Sequence, residues 1–458
     1  MPKFTTTPYD AIEPGMQASL ERLCLADDLY VFANSSGNLN PMHLPKEDGD
    51  GDGRPEAVAP SAWLAALISG VLGNQLPGPG TLYLDQSLRF LGRAHAGDTL
   101  TAAVRVIEKL PENVVRFEIW VDGPEGRIAE GEARVIAPAV VQHFDVHDLP
   151  GLTVQRHVHF DRLLEMAAPL PAIPTSVVAP ETPDALMGAL LARDHTLIDP
   201  ILVGSARKIA AAAEEAGGDL SGLDIIDIPD HRAAALRAVA LVHEGRARAV
   251  MKGHLHTDQI LHAVLKKEGG LRTNRRLSHV FVMDVPGLTH LLFVTDAAIN
   301  ITPDLDCKMS IVQNAIDLAL ALGVEQPKVG ILSAVETVTA SIPSTLDAAI
   351  LSKMADRGQI TGGLVDGPLA MDNAVDLDAA RTKGLKGLVA GRADILVAPN
   401  MESGNMLAKQ LTFLAHAEAG GIVMGAQVPI ILTSRADDDK ARLASCAIAA
   451  LYAASKSP

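Results

Sequence analysis

The chain has 458 residues, 48% of them hydrophobic and 21% charged, with a net charge of −16. That size and balance describe a soluble globular protein of two or three domains, and the negative charge argues against a general affinity for nucleic acid or anionic membrane. Local basic pockets for phosphorylated small molecules stay open. Cys24, Cys307 and Cys446 lie far apart without a pairing or zinc-like spacing, which fits buried thiols in a reducing cytoplasm. No apolar run follows the opening MPKFTTTPYDAIEPG, so no secretory signal is read there. The stretch AWLAALISGVLG is too short and too glycine-punctuated to span a bilayer. Aromatic residues make up only 3%, so the core is built from Ala, Val, Leu and Ile, a composition suited to helices packed on sheets rather than to base stacking.

In chain order, the first notable segment is SSGNLNPMH (35–43), a Ser/Gly/Asn/Pro loop in which Asn38 has the ordinary role of a turn residue bonding its own backbone. The acidic loop EDGDGDGRPE (47–56) matches the start of a calcium loop at Asp48, Asp50, Asp52 and Gly53. Its twelfth position is Ala59 instead of a bidentate Glu and Pro55 interrupts it, so it reads as a solvated loop. PSAWLAALISGVLGNQL (60–76) has a helical pattern with almost no charge and is expected to be buried on every side. Between Gly80 and Pro138 the period is that of antiparallel strands. In NVVRFEIWVDG, Val115, Phe117, Ile119 and Val121 alternate with Val114, Arg116, Glu118 and Trp120, and LTAAVRVIEKL and RIAEGEARVIAP read as neighbours. One helix followed by long antiparallel strands predicts a sheet wrapped around that helix.

Residues 139–156 read as a linker broken at Pro150-Gly151. Beyond it, short apolar runs (RAVMKG, HVFVMDV, HLLFVTDA, KVGILSAV, ADILVAP, VPIILTS) alternate with helical stretches such as DCKMSIVQNAIDLALALG, which predicts βα units around a mostly parallel sheet. Three strand-to-helix junctions carry polar residues. One strand ends at Lys252-Gly253 with a helix from about Thr257. A second ends at Pro399-Asn400, where Glu402, Ser403, Gly404 and Asn405 are expected to form a bend. A third runs into Ser434-Arg435, with Asp437, Asp438 and Asp439 starting the last helix. Ligands of open α/β sheets collect beyond the carboxyl ends of strands, where helix N-termini offer N–H groups to anions. The bland alternatives are an acidic first turn complementing its helix, Ser434 as an N-cap and Arg435 as a surface ion-pair partner. His254, His256 and His262 near Asp258 have no standard metal spacing, and no metal site is expected.

The segment SSGNLNPMH together with VAPSAWLAALISGVLGNQLPGPGTLYLDQSLRFL resembles the MaoC-like (R)-specific enoyl-CoA hydratases, over roughly residues 15–138. The resemblance implies a hot-dog fold and an S-G-D-x-N-P-x-H loop in which Asp and His hold and activate water, while a backbone N–H at the start of the central helix polarises the thioester. Ser36, Gly37, Asn40, Pro41 and His43 match that loop, and Ser69 matches a functional position on the helix. Asn38 stands where the family has Asp, and Pro60-Ser61 where it has His-Gly, so the Ser61 N–H keeps the oxyanion contact and the carboxylate base is missing.

Residues 157–458 resemble the phosphate acetyltransferase/butyryltransferase family through MKGHLHTDQILHAVL, LRTNRRLSHVFVMDVPG, VTDAAINITPDLD, VDGPLAMDNAV, GLVAGRADILVAPNMESGNMLAKQL and GAQVPIILTSRADDD. The resemblance implies transfer of an acyl group between CoA and phosphate. Ser434 would bond the CoA sulfur or the oxyanion, and Arg435 would orient phosphate with its planar guanidinium. The acetyl enzymes also carry an Asp towards the CoA thiol; the ungapped match is Ala441, and Asp437 or Asp439 is its substitute. Phe413 takes the place of an arginine of the acetyl enzymes, which leans towards the butyryl branch. Lys252, Thr257, Asn300, Asp366 and Asn405 are further candidates for the phosphate or CoA groove, with structural roles as the alternative for each.

The expected architecture is thus an N-terminal α+β hot-dog domain (1–138), a linker (139–156) and a C-terminal α/β domain of two subdomains (157–458). The expected activity is a phosphate acyltransferase fused to an enoyl-CoA hydratase-type domain, cytoplasmic and homodimeric or larger. Its substrates are an acyl-CoA thioester and inorganic phosphate, with no bound cofactor. The rival readings are a monofunctional acyltransferase whose first half only binds acyl-CoA or aids assembly, and a non-catalytic CoA-responsive scaffold.

Overall fold

The structure is a computed structural model that describes residues 3–45, 57–145, 154, 157–432 and 439–456. The chain divides into two compact units, Met1–Val154 and Gln155–Pro458. Among the described residues no helix is long and apolar enough to cross a membrane.

The first unit is a five-stranded antiparallel sheet and one long helix, Ser61–Asn74. Across the sheet the strands run Gln17–Leu23, Thr99–Leu110, Val114–Gly123, Gly126–Ile136 and Leu82–Phe90. Val115, Phe117, Ile119 and Val121 are all buried, as their alternation requires, and they join Leu64, Ile68, Val71 and Leu72 of the helix in one core. The helix is not buried on every side: Ser61, Ala62, Ala66 and Ser69 are exposed, because its apolar residues are large on one face and alanine or serine on the other. A second helix, Ala26–Ser36, absorbs the two serines that open the 35–43 segment. It ends at Gly37, whose φ of 70° is the left-handed cap that glycine adopts without strain. The linker expected over 139–156 begins with a strand instead: His143–Asp145 pairs antiparallel with Lys3–Thr5, joining the two ends of the unit.

The second unit is built on one sheet, eleven-stranded among the described residues. Its middle runs Ile173–Val178, Ala249–Lys252, Ile430–Ile431, Glu418–Met424, Ser278–Asp284, Leu292–Thr295 and Ile395–Val397. Both flanks are parallel, with buried faces on both sides. Val177, Leu202, Met251 and Ile431 feed one core, and Val178, Val203, Val250 and Ile430 another, which is why these strands read as unbroken apolar runs. The mostly parallel expectation fails in the centre, where the sheet is mixed. Glu418–Met424 pairs antiparallel with Ser278–Asp284 and with Ile430–Ile431, and Ser278–Asp284 pairs antiparallel with Leu292–Thr295. The links Asp284–Leu292 and Met424–Ile430 carry no helix, and a parallel return needs a crossover of a dozen or more residues, so those two pairs are antiparallel. Cys24, Cys307 and Cys446 are free and buried.

Candidate functional site

In the second unit a cavity of about 660 Å³ opens beyond the carboxyl end of strand Ala249–Lys252. Lys252 is the last residue of that strand, and Thr257 the first of helix Thr257–Leu265. Gly253 makes the exit from the strand possible, since a Cβ there would lie 2.5–2.7 Å from the backbone of Val178 and Ala179. Opposite stands helix Met401–Leu414, capped by Asn400, whose Oδ1 accepts the Ser403 N–H at 3.0 Å. Glu402, Ser403, Gly404 and Asn405 therefore form the first turns of this helix, not a bend; the Asn400–Ser403 capping box starts the helix earlier than a Ser-Gly-Asn run indicates. Asn405 donates from Nδ2 to the Ala297 carbonyl (3.1 Å) and lines the cavity.

The structure thus brings Lys252, Thr257 and Asn405 to one cavity and leaves two other candidates outside its lining. Asn300 donates from Nδ2 to the Leu277 carbonyl (2.8 Å) and to Asp296, closing a turn. Asp366 sits on strand Leu364–Leu369 at the far edge of the sheet, accepting the Gly367 N–H at 2.9 Å. Ser434, Arg435 and Asp437 lie outside the described residues, as does the acidic loop 47–56. Leu432, two residues before Ser434, lines the cavity; Asp439 opens helix Asp439–Ser455, and Ala441 is buried within it.

Sequence reasoning missed Lys409, His279 and Phe281, and weighed His256 only as a metal ligand; all four also line the cavity. Lys409 was detectable, being one helical turn beyond Asn405 on the same face. Phe413 lines the cavity while 70% exposed, so its ring sits at the mouth. Cations at the rim and small or apolar residues beneath (Ala408, Ala419, Gly420, Gly421, Leu432) suit a ligand with an anionic part and an apolar part. Among the described residues no group of three His, Cys, Asp or Glu is arranged to hold a metal ion.

In the first unit, His43 donates from Nδ1 to the Val58 carbonyl at 2.7 Å, which fixes the tautomer and leaves Nε2 as an acceptor. Val58 also donates its N–H to Met42 O at 2.9 Å, so the loop is tied to the segment entering helix Ser61–Asn74. Ser61 is the first residue of that helix, where N–H groups have no intrahelical partner. Ser69, on the exposed face, is about 12 Å further along the axis. Asn38 accepts the Asn40 N–H on its own Oδ1 at 3.3 Å, the turn role its composition predicts.

The sequence profile described as phosphate acetyl/butaryl transferase matches residues 230–450. A phosphate acetyltransferase of Rhizobium meliloti is 60% identical over 296 residues, covering 64% of this chain and 93% of that protein. The branched-chain phosphotransacylase of Enterococcus faecalis V583 matches at a TM-score of 0.54 and 31% identity, over 61% of this chain and 99% of that one. The R-hydratase PhaJ1 from Pseudomonas aeruginosa is 34% identical over 34% of this chain and all of its own, at a TM-score of 0.32.

Proposed function

This chain belongs to the phosphate acetyl/butyryltransferase family, and from that membership we propose that its second unit catalyses acyl-CoA + phosphate ⇌ acyl phosphate + CoA in the cavity between Lys252 and Asn405. The family's substrates are a CoA thioester and inorganic phosphate, and it needs no bound cofactor. The observation that carries the site assignment is the convergence of Lys252, Thr257 and Asn405 on one cavity with Lys409. Phosphate must be held beside the thioester carbonyl, and lysines supply the attraction that offsets loss of its water shell. Arg435 orients it in this reading, and Ser434 donates to the departing sulfur or the oxyanion. What supports both roles is their place in the sequence, two and three residues after Leu432, which lines the cavity.

The test is phosphate-dependent release of free thiol from acetyl-CoA and butyryl-CoA. Arg435→Ala is expected to lower kcat/KM about 10²-fold or more; an unchanged rate would overturn the site assignment, and no release from the wild type would leave only a CoA-responsive scaffold. A panel of acyl chains decides between the acetyl and butyryl branches, to which the relatives and Phe413 point differently.

For residues 1–138 the reading is a hot-dog domain of the enoyl-CoA hydratase type. His43, with Nε2 turned into an acceptor by its bond to Val58, holds the water, and the Ser61 N–H polarises the thioester. The amide of Asn38 takes no proton, so hydration is slow and Asn38→Asp raises it, followed as loss of crotonyl-CoA absorbance. If both forms are inert, the first half only binds acyl-CoA or aids assembly. The edge strand Leu82–Phe90 exposes Leu82, Leu84 and Phe90, which supports assembly as a homodimer or larger; a monomeric mass by light scattering rejects it.

A further inference from the structure

His279 lines the cavity on strand Ser278–Asp284 and is only 4% exposed. Its backbone N–H reaches Asp296 Oδ1 at 3.3 Å, yet its ring Nδ1 has no hydrogen-bond partner among the described residues. Buried polar atoms are normally satisfied, so an imidazole that lines a cavity with its Nδ1 buried and unpaired calls for a role for the other ring nitrogen. Burial drives the imidazole pKa down to about 4, with the Asp296 carboxylate opposing, so the ring is neutral at physiological pH and offers one N–H and one acceptor.

The surroundings select the ligand group. Beside the ring is Phe281, edge-on with centroids 4.3 Å apart. Facing Phe281 across the strand pair is Gly421, where a Cβ would stand 3.0 Å from His279 Cε1. A Cβ there would also stand 2.5 Å from the Val280 carbonyl oxygen, so the strands pack closely beside the imidazole and only glycine keeps a side chain off it. The cationic groups of the cavity, Lys252 and Lys409, come from the end of strand Ala249–Lys252 and from helix Met401–Leu414, whereas Phe281, Ala419, Gly420 and Gly421 around His279 carry no charge. Phosphate is drawn to the lysines. The acyl group, apolar with a single neutral acceptor, fits the small-residue floor.

We propose that His279 is a further catalytic residue of this cavity, its imidazole N–H donating a hydrogen bond to the carbonyl oxygen of the acyl thioester. The inference rests on the acyl-transfer reading given above. A phosphate oxygen adds to the carbonyl carbon, the C=O pair moves onto oxygen, and on its return the C–S bond breaks and CoA leaves as the thiolate. His279 transfers no proton; it stabilises the oxygen most when that oxygen carries the charge, as a neutral imidazole does.

The experiment compares His279→Leu and His279→Gln in the full chain, both verified by thermal melting. With acetyl-CoA and phosphate, Leu lowers kcat about 10²-fold while the KM for phosphate stays within about twofold, and Gln, which keeps a donor, recovers at least about tenfold of the loss. A kcat for Leu near wild type, a loss confined to the KM for phosphate, or a Gln variant no better than Leu overturns the proposal. A second arm needs no variant. In long-range 1H–15N spectra of the wild type, the His279 ring nitrogens shift with acetyl-CoA in phosphate-free buffer and not with phosphate alone; the reverse, or no shift, also overturns it. A wild type that releases no thiol refutes the acyl-transfer reading instead, and the spectra still report whether the imidazole meets the thioester.

Discussion

Asp296 holds the turn that delivers helix Met401–Leu414 to the cavity, and replacing it with alanine tests that dependence. Its carboxylate is 2% exposed. Oδ1 accepts the N–H groups of His279 (3.3 Å), Ala298 (3.0 Å) and Ile299 (3.2 Å); Oδ2 accepts the Asn300 N–H (3.0 Å) and Nδ2 (2.5 Å). The turn it closes presents the Ala297 carbonyl to Asn405, and the Asp296 carbonyl lies so close to Gly404 that a Cβ there would be 2.6 Å away. Of the backbone donors, that of exposed Ala298 passes to water on substitution, those of Ile299 and Asn300 are half-buried, and that of His279 is buried. At about 1–2 kcal/mol for each of the last three, less part of the desolvation that the carboxylate no longer bears, the net loss is about 2–4 kcal/mol. Hydrogen exchange reads this locally: amides of residues 297–300 should lose about 30- to 1,000-fold of their protection, with thiol release falling alongside. Asp296→Asn, which keeps one acceptor oxygen, should lose less. Protection within about threefold of wild type in Asp296→Ala would refute the account of the turn.

Three further substitutions follow from single contacts. Asp284 is fully buried and its Oδ2 accepts the N–H groups of His159 (2.8 Å) and Phe160 (2.9 Å) at the start of helix Val158–Ala167; Asp284→Ala should cost about 2–3 kcal/mol in urea unfolding, and Asn less. Gly253→Ala forces a Cβ into the backbone of Val178 and Ala179, so it should lower thermal stability by about 1–3 kcal/mol and displace Lys252, cutting thiol release. Burial of Glu181 favours its neutral form, but hydrogen bonds from Lys208 (2.9 Å), the Ser205 N–H (2.9 Å) and His231 (3.0 Å) outweigh it and hold the carboxyl below its usual 4.5. A carboxyl so lowered stabilises the fold above that value and loses its contribution as pH falls through the folded pKa. The stability gap between wild type and Glu181→Gln should therefore be present above pH 4.5 and shrink progressively as pH falls below it, measured by denaturant unfolding at each pH.

The rim of the cavity was legible in the sequence and its floor was not, for a reason that lies in how each is built. Lys252, Thr257 and Asn405 sit at strand-to-helix junctions, where composition changes within a few residues and a polar group after an apolar run stands out. In the first unit the strict alternation through Val115–Val121 likewise encoded its buried face locally. The floor has no such signature. His279 and Phe281 lie in an apolar strand, Gly421 in another about 140 residues away, and only the register Phe281↔Gly421 makes a glycine the wall beside a histidine. That register depends on the antiparallel centre of the sheet, and there the βα pattern misled. The clue was present in connection length, since the gap between Asp284 and Leu292 leaves no room for a crossover helix. Once those strands pair antiparallel, a histidine that reads as ordinary core material faces a cavity. The same logic separates Asn38 from His43. The amide bonds within its own turn and is readable there, whereas the histidine's tautomer is set by Val58, fifteen residues on and visible only in the folded chain.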